Sequence, residues 1–301
     1  MDQILMANAF EAWAAAIRFA DDIRAGRCTL QYQKSFVSSL HNAVELFMKQ
    51  MMLNNNNHDV VMRVKDAKTE NAQLKANYDR AVDLNAFFNG LSQEEMSAFY
   101  TIGFDGLVKK HQLIIGDCLA KVDPIEDDLN LLQRLRNNET HFAIHQGSFL
   151  REQDFRSLYN FMIRFYKILD CWRPVDKEKY ELWLLPYWGD PDGVYSVYGF
   201  DREPMNGFTY RDAVSNAPLA HEISGLLSGD WPYGAPDFSP YSITKELIEL
   251  NPQYKHQFDD IWSVVHMMQV LGMIKIDEIF DDELGQVHFV VNVSVEVRER
   301  R

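Results

Sequence analysis

The stretch Leu135-Arg136-Asn137-Asn138-Glu139-Thr140-His141-Phe142 sets a histidine five positions after an arginine, with an asparagine directly beside the arginine. A guanidinium offers a permanent charge in a planar fork that matches phosphate oxygens. An imidazole is the side chain best matched to moving a proton near neutral pH. On an ideal helix, at about 100° per residue, Arg136 and His141 stand about 140° apart, whereas Asn130, Arg134, Asn137 and His141 fall on one polar stripe. Arg134 is therefore a rival for the part of site arginine. Arg136 has the stronger position, at the edge of the apolar arc of Ile125, Leu129 and Leu132, where an arginine needs a specific partner. An arginine and a histidine at this spacing also occur on many structural helix surfaces.

Other constellations carry less. His141 and His145 are spaced as a helical metal pair could be, with Glu139 nearby, but they have no obvious third ligand and no glutamate between them. Asp190 and Asp192 before Gly193 lack the acidic ladder of a calcium loop and read as a tight turn. Tyr187, Trp188, Tyr195 and Tyr198 could stack nucleobases, although aromatics in short strands more often fill a core. No GxxxxGK[ST], GxSxG or HExxH pattern is present. No metal and no cofactor is expected. Cys28, Cys118 and Cys171 are far apart with no CxxC spacing, and they read as reduced, buried thiols.

Helical periodicity supplies the frame for these residues. Met6, Phe10, Trp13, Ile17 and Ala20 recur at helical spacing, as do Phe36, Leu40, Val44, Phe47 and Met51. The polar tract Asn54–Asn57 should end the second helix. From about Asp59 to Leu91 the chain is polar and rich in helix formers, which predicts a helical, partly exposed segment. A further helix is expected over Asp105–Val122. The next starts at Asp123-Pro124-Ile125-Glu126, with Asp123 as cap, Pro124 in the first turn and Glu126 as the capping-box carboxylate. Phe155, Leu158, Met162, Phe165 and Leu169 mark a last long helix that stops near Pro174.

Beyond Pro174 the texture changes. Leu182–Leu185 and Val194–Tyr198 flank the turn at Gly189–Gly193 and suggest β-hairpins. Ser242–Leu250 and Phe258–Leu271 read as helices, followed by a strand at Met273–Ile276, an acidic turn and alternating Val287–Val297. Helices followed by a terminal hairpin resemble a winged-helix arrangement. Its would-be recognition helix carries Asp259 and Asp260, so sequence-specific DNA binding is not expected. The fold class is thus mainly α, a helical bundle over 1–172 followed by a smaller, acidic α+β domain over 180–301.

With 301 residues, 47% hydrophobic and 13% aromatic, the chain can bury a sizeable core. The net charge of −14 is uneven, about −3 over residues 1–172 and about −11 over 173–301. An acidic segment repels a phosphate backbone, which assigns any nucleic-acid chemistry to the N-terminal part. No apolar run approaches the ~20 residues that cross a bilayer, and the N-terminus lacks the basic-then-apolar pattern of a secretory signal. The expected address is the cytoplasm, with no membrane partner.

The Arg136-Asn137…His141 segment resembles the RNxxxH signature of the HEPN superfamily, and Leu40-His41-Asn42-Ala43-Val44-Glu45-Leu46-Phe47-Met48-Lys49 resembles that family's corresponding amphipathic helix. The likeness covers residues 1–172. It implies an up-and-down helical bundle that forms homodimers with the motif helices facing one another, and RNA cleavage without metal. Under that likeness Arg136 holds and polarises the scissile phosphate, His141 transfers protons around the 2′-hydroxyl or leaving group, and Asn137 orients the site. The asparagine directly after Arg136 follows the family pattern, and the looser spacing the family tolerates keeps Arg134 in play. The expected function is a metal-independent endoribonuclease, a toxin or phage-defence effector, with RNA as substrate and an antitoxin or regulatory protein as partner. The alternative is a non-catalytic helical interaction module whose acidic domain binds a partner protein.

Overall fold

The computed structural model describes residues 4–141, 150–172, 202–227, 230–231, 239–281 and 286–293. The protein is mainly α-helical with a few short strands. The expected hairpins at 182–198, the Gly189–Gly193 turn, His145 and the aromatics at 187–198 lie outside the described residues, as does the end of the strand expected to reach Val297. The chain divides into two compact units. The first comprises Met1–Arg18, Phe36–His141 and Ser157–Met205; the second comprises Phe19–Ser35, Phe142–Arg156 and Asn206–Arg301. Three long helices contribute residues to both units.

Those three are α1 (Met6–Arg24), α2 (Leu30–Asn54) and α8 (Glu152–Trp172). In the first unit their apolar stripes meet: Phe10 and Trp13 of α1 pack edge-on to Phe47 of α2 at 5.2 and 6.3 Å between ring centres, and Phe165 of α8 lies 6.0 Å from Trp13. All four rings are fully buried. Burying each is worth roughly 1.5–3 kcal/mol, with tilted and T-shaped pairs adding a fraction more.

The segment after α2 corrects the expectation of a continuous helical stretch. Strand β1 (Val61–Val64) pairs antiparallel with β2 (Phe99–Thr101), and the helices between them, α3 (Ala72–Arg80), α4 (Leu84–Asn89) and α5 (Gln93–Met96), are short. Valines at 60, 61 and 64 favour a strand, and β1 finds its partner across more than thirty residues, which no local periodicity displays. Tyr78, Phe87, Phe88 and Phe99 form a second aromatic cluster in this region. Gln50, fully buried on α2, accepts from the Leu5 amide at 2.9 Å and donates to Asn54 and Asn85, tying α4 to the end of α2.

Helix α6 (Phe104–Ile115) stops seven residues short of the expected Val122 because Gly116 takes φ +59° and a 3-10 segment, Gly116–Lys121, follows. Helix α7 (Glu126–His141) also begins later than its cap signature indicates. The Leu129 amide donates to the Ile125 carbonyl at 3.0 Å, which makes Ile125 the cap position in place of Asp123. Ile125 is completely buried, so packing sets this entry; Glu126, Asp127 and Asp128 still place negative charge in the first turn, where the helix dipole favours it. The bundle expected over 1–172 is therefore helical in α1, α2 and α6–α8, with a small two-stranded sheet inserted.

The cysteine expectation is half overturned. Cys28 is a buried free thiol, but Cys118, in the 3-10 segment, and Cys171, in the last turn of α8, form a disulfide with 5.8 Å between their Cα atoms. Spacing along the chain excludes local thiolate clusters but says nothing of a pairing across 53 residues.

In the second unit, Gln33 on α2 accepts from the Leu150 amide at 2.8 Å and donates to the Cys28 carbonyl at 2.7 Å. Gly26 takes φ +90° and lies so close to helix α9 (Tyr210–Ser215) that a Cβ there would sit 2.9 Å from the Ala213 carbonyl oxygen. Next come α10 (Pro218–Leu227), β3 (Asp230–Trp231), α11 (Pro240–Leu250), α12 (Phe258–Val270), β4 (Ile274–Asp281) and β5 (Gln286–Val293). The three strands form one antiparallel sheet in the order β3-β5-β4, and α11 packs on α12.

Candidate active site

Helix α7 carries Leu129, Leu132 and Leu135 into the core of the first unit. Arg136 follows Leu132 by four positions, so it points along nearly the same face as the leucines. Its neighbour Asp128, two turns earlier, is half-locked in an ion pair with Arg164 of α8 at 2.5 Å. Burial raises the Asp128 carboxyl above its ordinary range even with the guanidinium opposing it. That pair fixes the height of α7 against α8, and with it the height of Arg136.

Arg136 lines a cavity of about 700 Å³ together with Asn8, Glu11 and Ala12 of α1 and His41, Asn42 and Glu45 of α2. On α2, His41, Glu45 and Lys49 follow one another at four-residue spacing and form a single polar stripe. Lys49 is buried, with its Nζ donating to Glu45 at 2.6 Å and to the Thr101 hydroxyl of β2 at 3.0 Å. Two residues after Thr101 the chain enters α6, whose first residue, Phe104, stacks on the His41 ring at 4.1 Å. The inserted β1–β2 ribbon thus places the aromatic plate that holds His41.

His41 Nδ1 lies 3.7 Å from Glu45 Oε2. Burial holds the His41 imidazole down to a pKa of about 4; Glu45 opposes that shift, and the Arg136 and Lys49 charges reinforce it. The native imidazole is neutral at pH 7. An unfolded histidine titrates near 6.5, so between about pH 6.5 and 4 the unfolded chain binds a proton that the native chain does not. Native stability falls as pH drops through that window, by on the order of 3 kcal/mol in full. Denaturant titrations of wild type and His41→Phe at pH 7 and pH 4.5 check it: the wild type should lose this increment and the variant should not.

Of the sequence-derived site residues, Arg136 is half-buried and lines the cavity, whereas Asn137 and the rival Arg134 are exposed and lie outside its lining. The backbone of α7 extends to His141, and the His141 side chain is outside the described residues. The sequence reading assigns no chemistry to His41, Glu45 or Lys49. Their signal was present as three ionisable side chains at four-residue intervals on one helix. Among the described residues no cluster of three or more His, Cys, Asp and Glu side chains could hold a metal ion.

No family model, curated protein or solved structure matches this chain. None of the described helices is long and apolar enough to cross a membrane.

Proposed function

We propose that the chain is a metal-independent endoribonuclease of HEPN type that acts at the Arg136 cavity as a homodimer, in the manner of a toxin or defence effector. The observation that carries this reading is Arg136 itself, an arginine on the inward side of α7 that opens into a polar cavity beside a neutral imidazole and a carboxylate. In this reading the Arg136 guanidinium grips two phosphate oxygens. The substrate's own 2′-hydroxyl attacks phosphorus and releases its proton to water or to His141, the bond from phosphorus to the 5′-oxygen breaks, and that oxygen takes up a proton in turn from His141 or water. The products carry a 2′,3′-cyclic phosphate and a 5′-hydroxyl, and DNA, which lacks the nucleophile, is spared. In this reading Asn137 orients the site. An antitoxin or regulatory protein is the expected restraint.

Purified wild type and His141→Ala, incubated in EDTA with total RNA and a tRNA pool and followed by end-group analysis, test the reading. Cyclic-phosphate ends should form with the wild type, and the variant should be slower by about 10²–10⁴-fold. Absence of cleavage by either protein sinks the nuclease assignment.

A second reading rests on the second unit. The order α10–β3–α11–α12–β4–β5 with strands β3-β5-β4 supports a winged-helix-like domain. Its α12 begins with Asp259 and Asp260 and carries no lysine or arginine. Such a helix suits a contact with protein better than one with a phosphate backbone, which favours a partner-binding role for this unit, with or without catalysis in the other.

A further inference from the structure

We infer that the Cys118–Cys171 bridge is a thiol-exchange site, a cystine that a small thiol of the glutathione class opens and recloses, and that its opening releases the chain entering α7. The first observation is exposure. Both half-cystines are half-exposed, whereas Cys28, the free thiol, is fully buried. An incoming thiolate must reach a sulfur from solvent, and exposed cystines are the ones that exchange with the surrounding thiol pool.

The second observation is what the bridge holds. From Gly116 to Pro124 no residue is buried, and the core resumes only at Ile125. A connector is ordinarily fastened by an apolar side chain sunk into the core. Here the cystine takes that part, tying the 3-10 segment to the last turn of α8. Once it opens, α7 keeps its own anchors, the buried Ile125 and Leu129 and the Asp128–Arg164 ion pair, while the segment leading into it loses its tether.

The surroundings give the two sulfurs different parts. Cys171 stands at the C-terminal end of α8 with Asp170 beside it, where the helix dipole and the carboxylate both disfavour a thiolate. Cys118 is flanked by Asp117 and Lys121, whose charges offset one another. Cys118 is therefore the better leaving thiolate, and attack falls on Cys171 Sγ. The glutathione thiolate forms a bond to that sulfur as the Cys118–Cys171 bond breaks, and Cys118 leaves with the electron pair and takes a proton from water. A second glutathione thiolate attacks the glutathione sulfur of the mixed disulfide, and Cys171 leaves in the same way. Two electrons pass from two small thiols to the cystine, and the thiols depart as glutathione disulfide. The reverse sequence recloses the bridge.

The test uses the full-length protein in millimolar glutathione buffers graded from oxidised to reduced. Acid-quenched samples are alkylated and their thiols counted by mass, and amide hydrogen exchange is followed in parallel. The bridge should pass from closed to open within the series. Samples quenched early in the reaction should carry glutathione on Cys171. On opening, amides over 117–122 should exchange about tenfold faster or more, while those over 9–17 of α1 and 40–48 of α2 stay protected. A protein with both Cys118→Ala and Cys171→Ala should show the faster exchange in every buffer. A bridge that stays closed in fully reduced glutathione overturns the inference, and so does unchanged exchange over 117–122 after opening. Loss of protection in α1 and α2 as well makes the bridge a staple of the whole fold and refutes the local release, and glutathione found only on Cys118 refutes the assigned direction of attack. None of these readouts requires RNA cleavage, so they stand or fall apart from the nuclease assignment.

Discussion

Arg136→Ala is expected to reduce RNA cleavage by about 10³-fold or more with the fold intact, the scale seen when an arginine stabilises a phosphoryl transition state. The guanidinium is half-buried and lines one cavity with His41 and Glu45, where a bound phosphate would meet its charge with less screening than at an exposed surface. A lysine at 136 should restore only part of the activity, because an ammonium offers a point charge in place of a fork. A readout independent of turnover accompanies this. Arg136 lowers the proton affinity of His41, so its removal should raise the His41 titration midpoint in the absence of any RNA. Initial rates of cleavage for wild type, Arg136→Ala and Arg136→Lys, with circular dichroism as the check on folding, decide the matter. An alanine variant that cleaves at the wild-type rate removes Arg136 from the site and returns Arg134 to consideration.

Reduction of the Cys118–Cys171 bridge should cost about 4 kcal/mol of stability on the chain-entropy estimate for its loop. The bridge spans 53 residues, and its Cα separation of 5.8 Å is ordinary for a cystine. It joins the segment after α6 to the last turn of α8, and the whole of α7 lies between the two cysteines in sequence. The loop it closes in the unfolded chain therefore includes Arg136. Guanidinium unfolding of wild type with and without dithiothreitol, beside Cys171→Ser, measures the effect: the reduced and substituted proteins should unfold at the same, lower midpoint. Coincident midpoints for oxidised and reduced wild type contradict it. Cystines persist only in oxidising surroundings, so the reduced value is the one that applies in a reducing cytoplasm. Cys28 should not complicate the experiment, because burial pushes its thiol up to about 12 and leaves it unreactive in the native state.

Some of this protein was legible in the order of its residues. The apolar stripes of α1, α2 and α8, the stop at Asn54, and the helices α11 and α12 follow from periodicity, since a helix that buries one face must repeat its apolar residues every three or four positions. The inward placement of Arg136 was legible too, because Leu129 and Leu132 define the face on which it stands. Tertiary structure alone decided the rest. The β1–β2 pair depends on a partner strand far along the chain, which local periodicity does not display. At α7 the buried Ile125 outweighed the capping pattern of Asp123, since burying a large side chain is worth more than one cap hydrogen bond. Cys118 and Cys171 meet only because α8 returns past the segment after α6. The cavity itself joins His41 and Arg136 across 95 residues of sequence. A motif search sees spacing within one segment, whereas a site of this kind is made by the distance between two helices that pack.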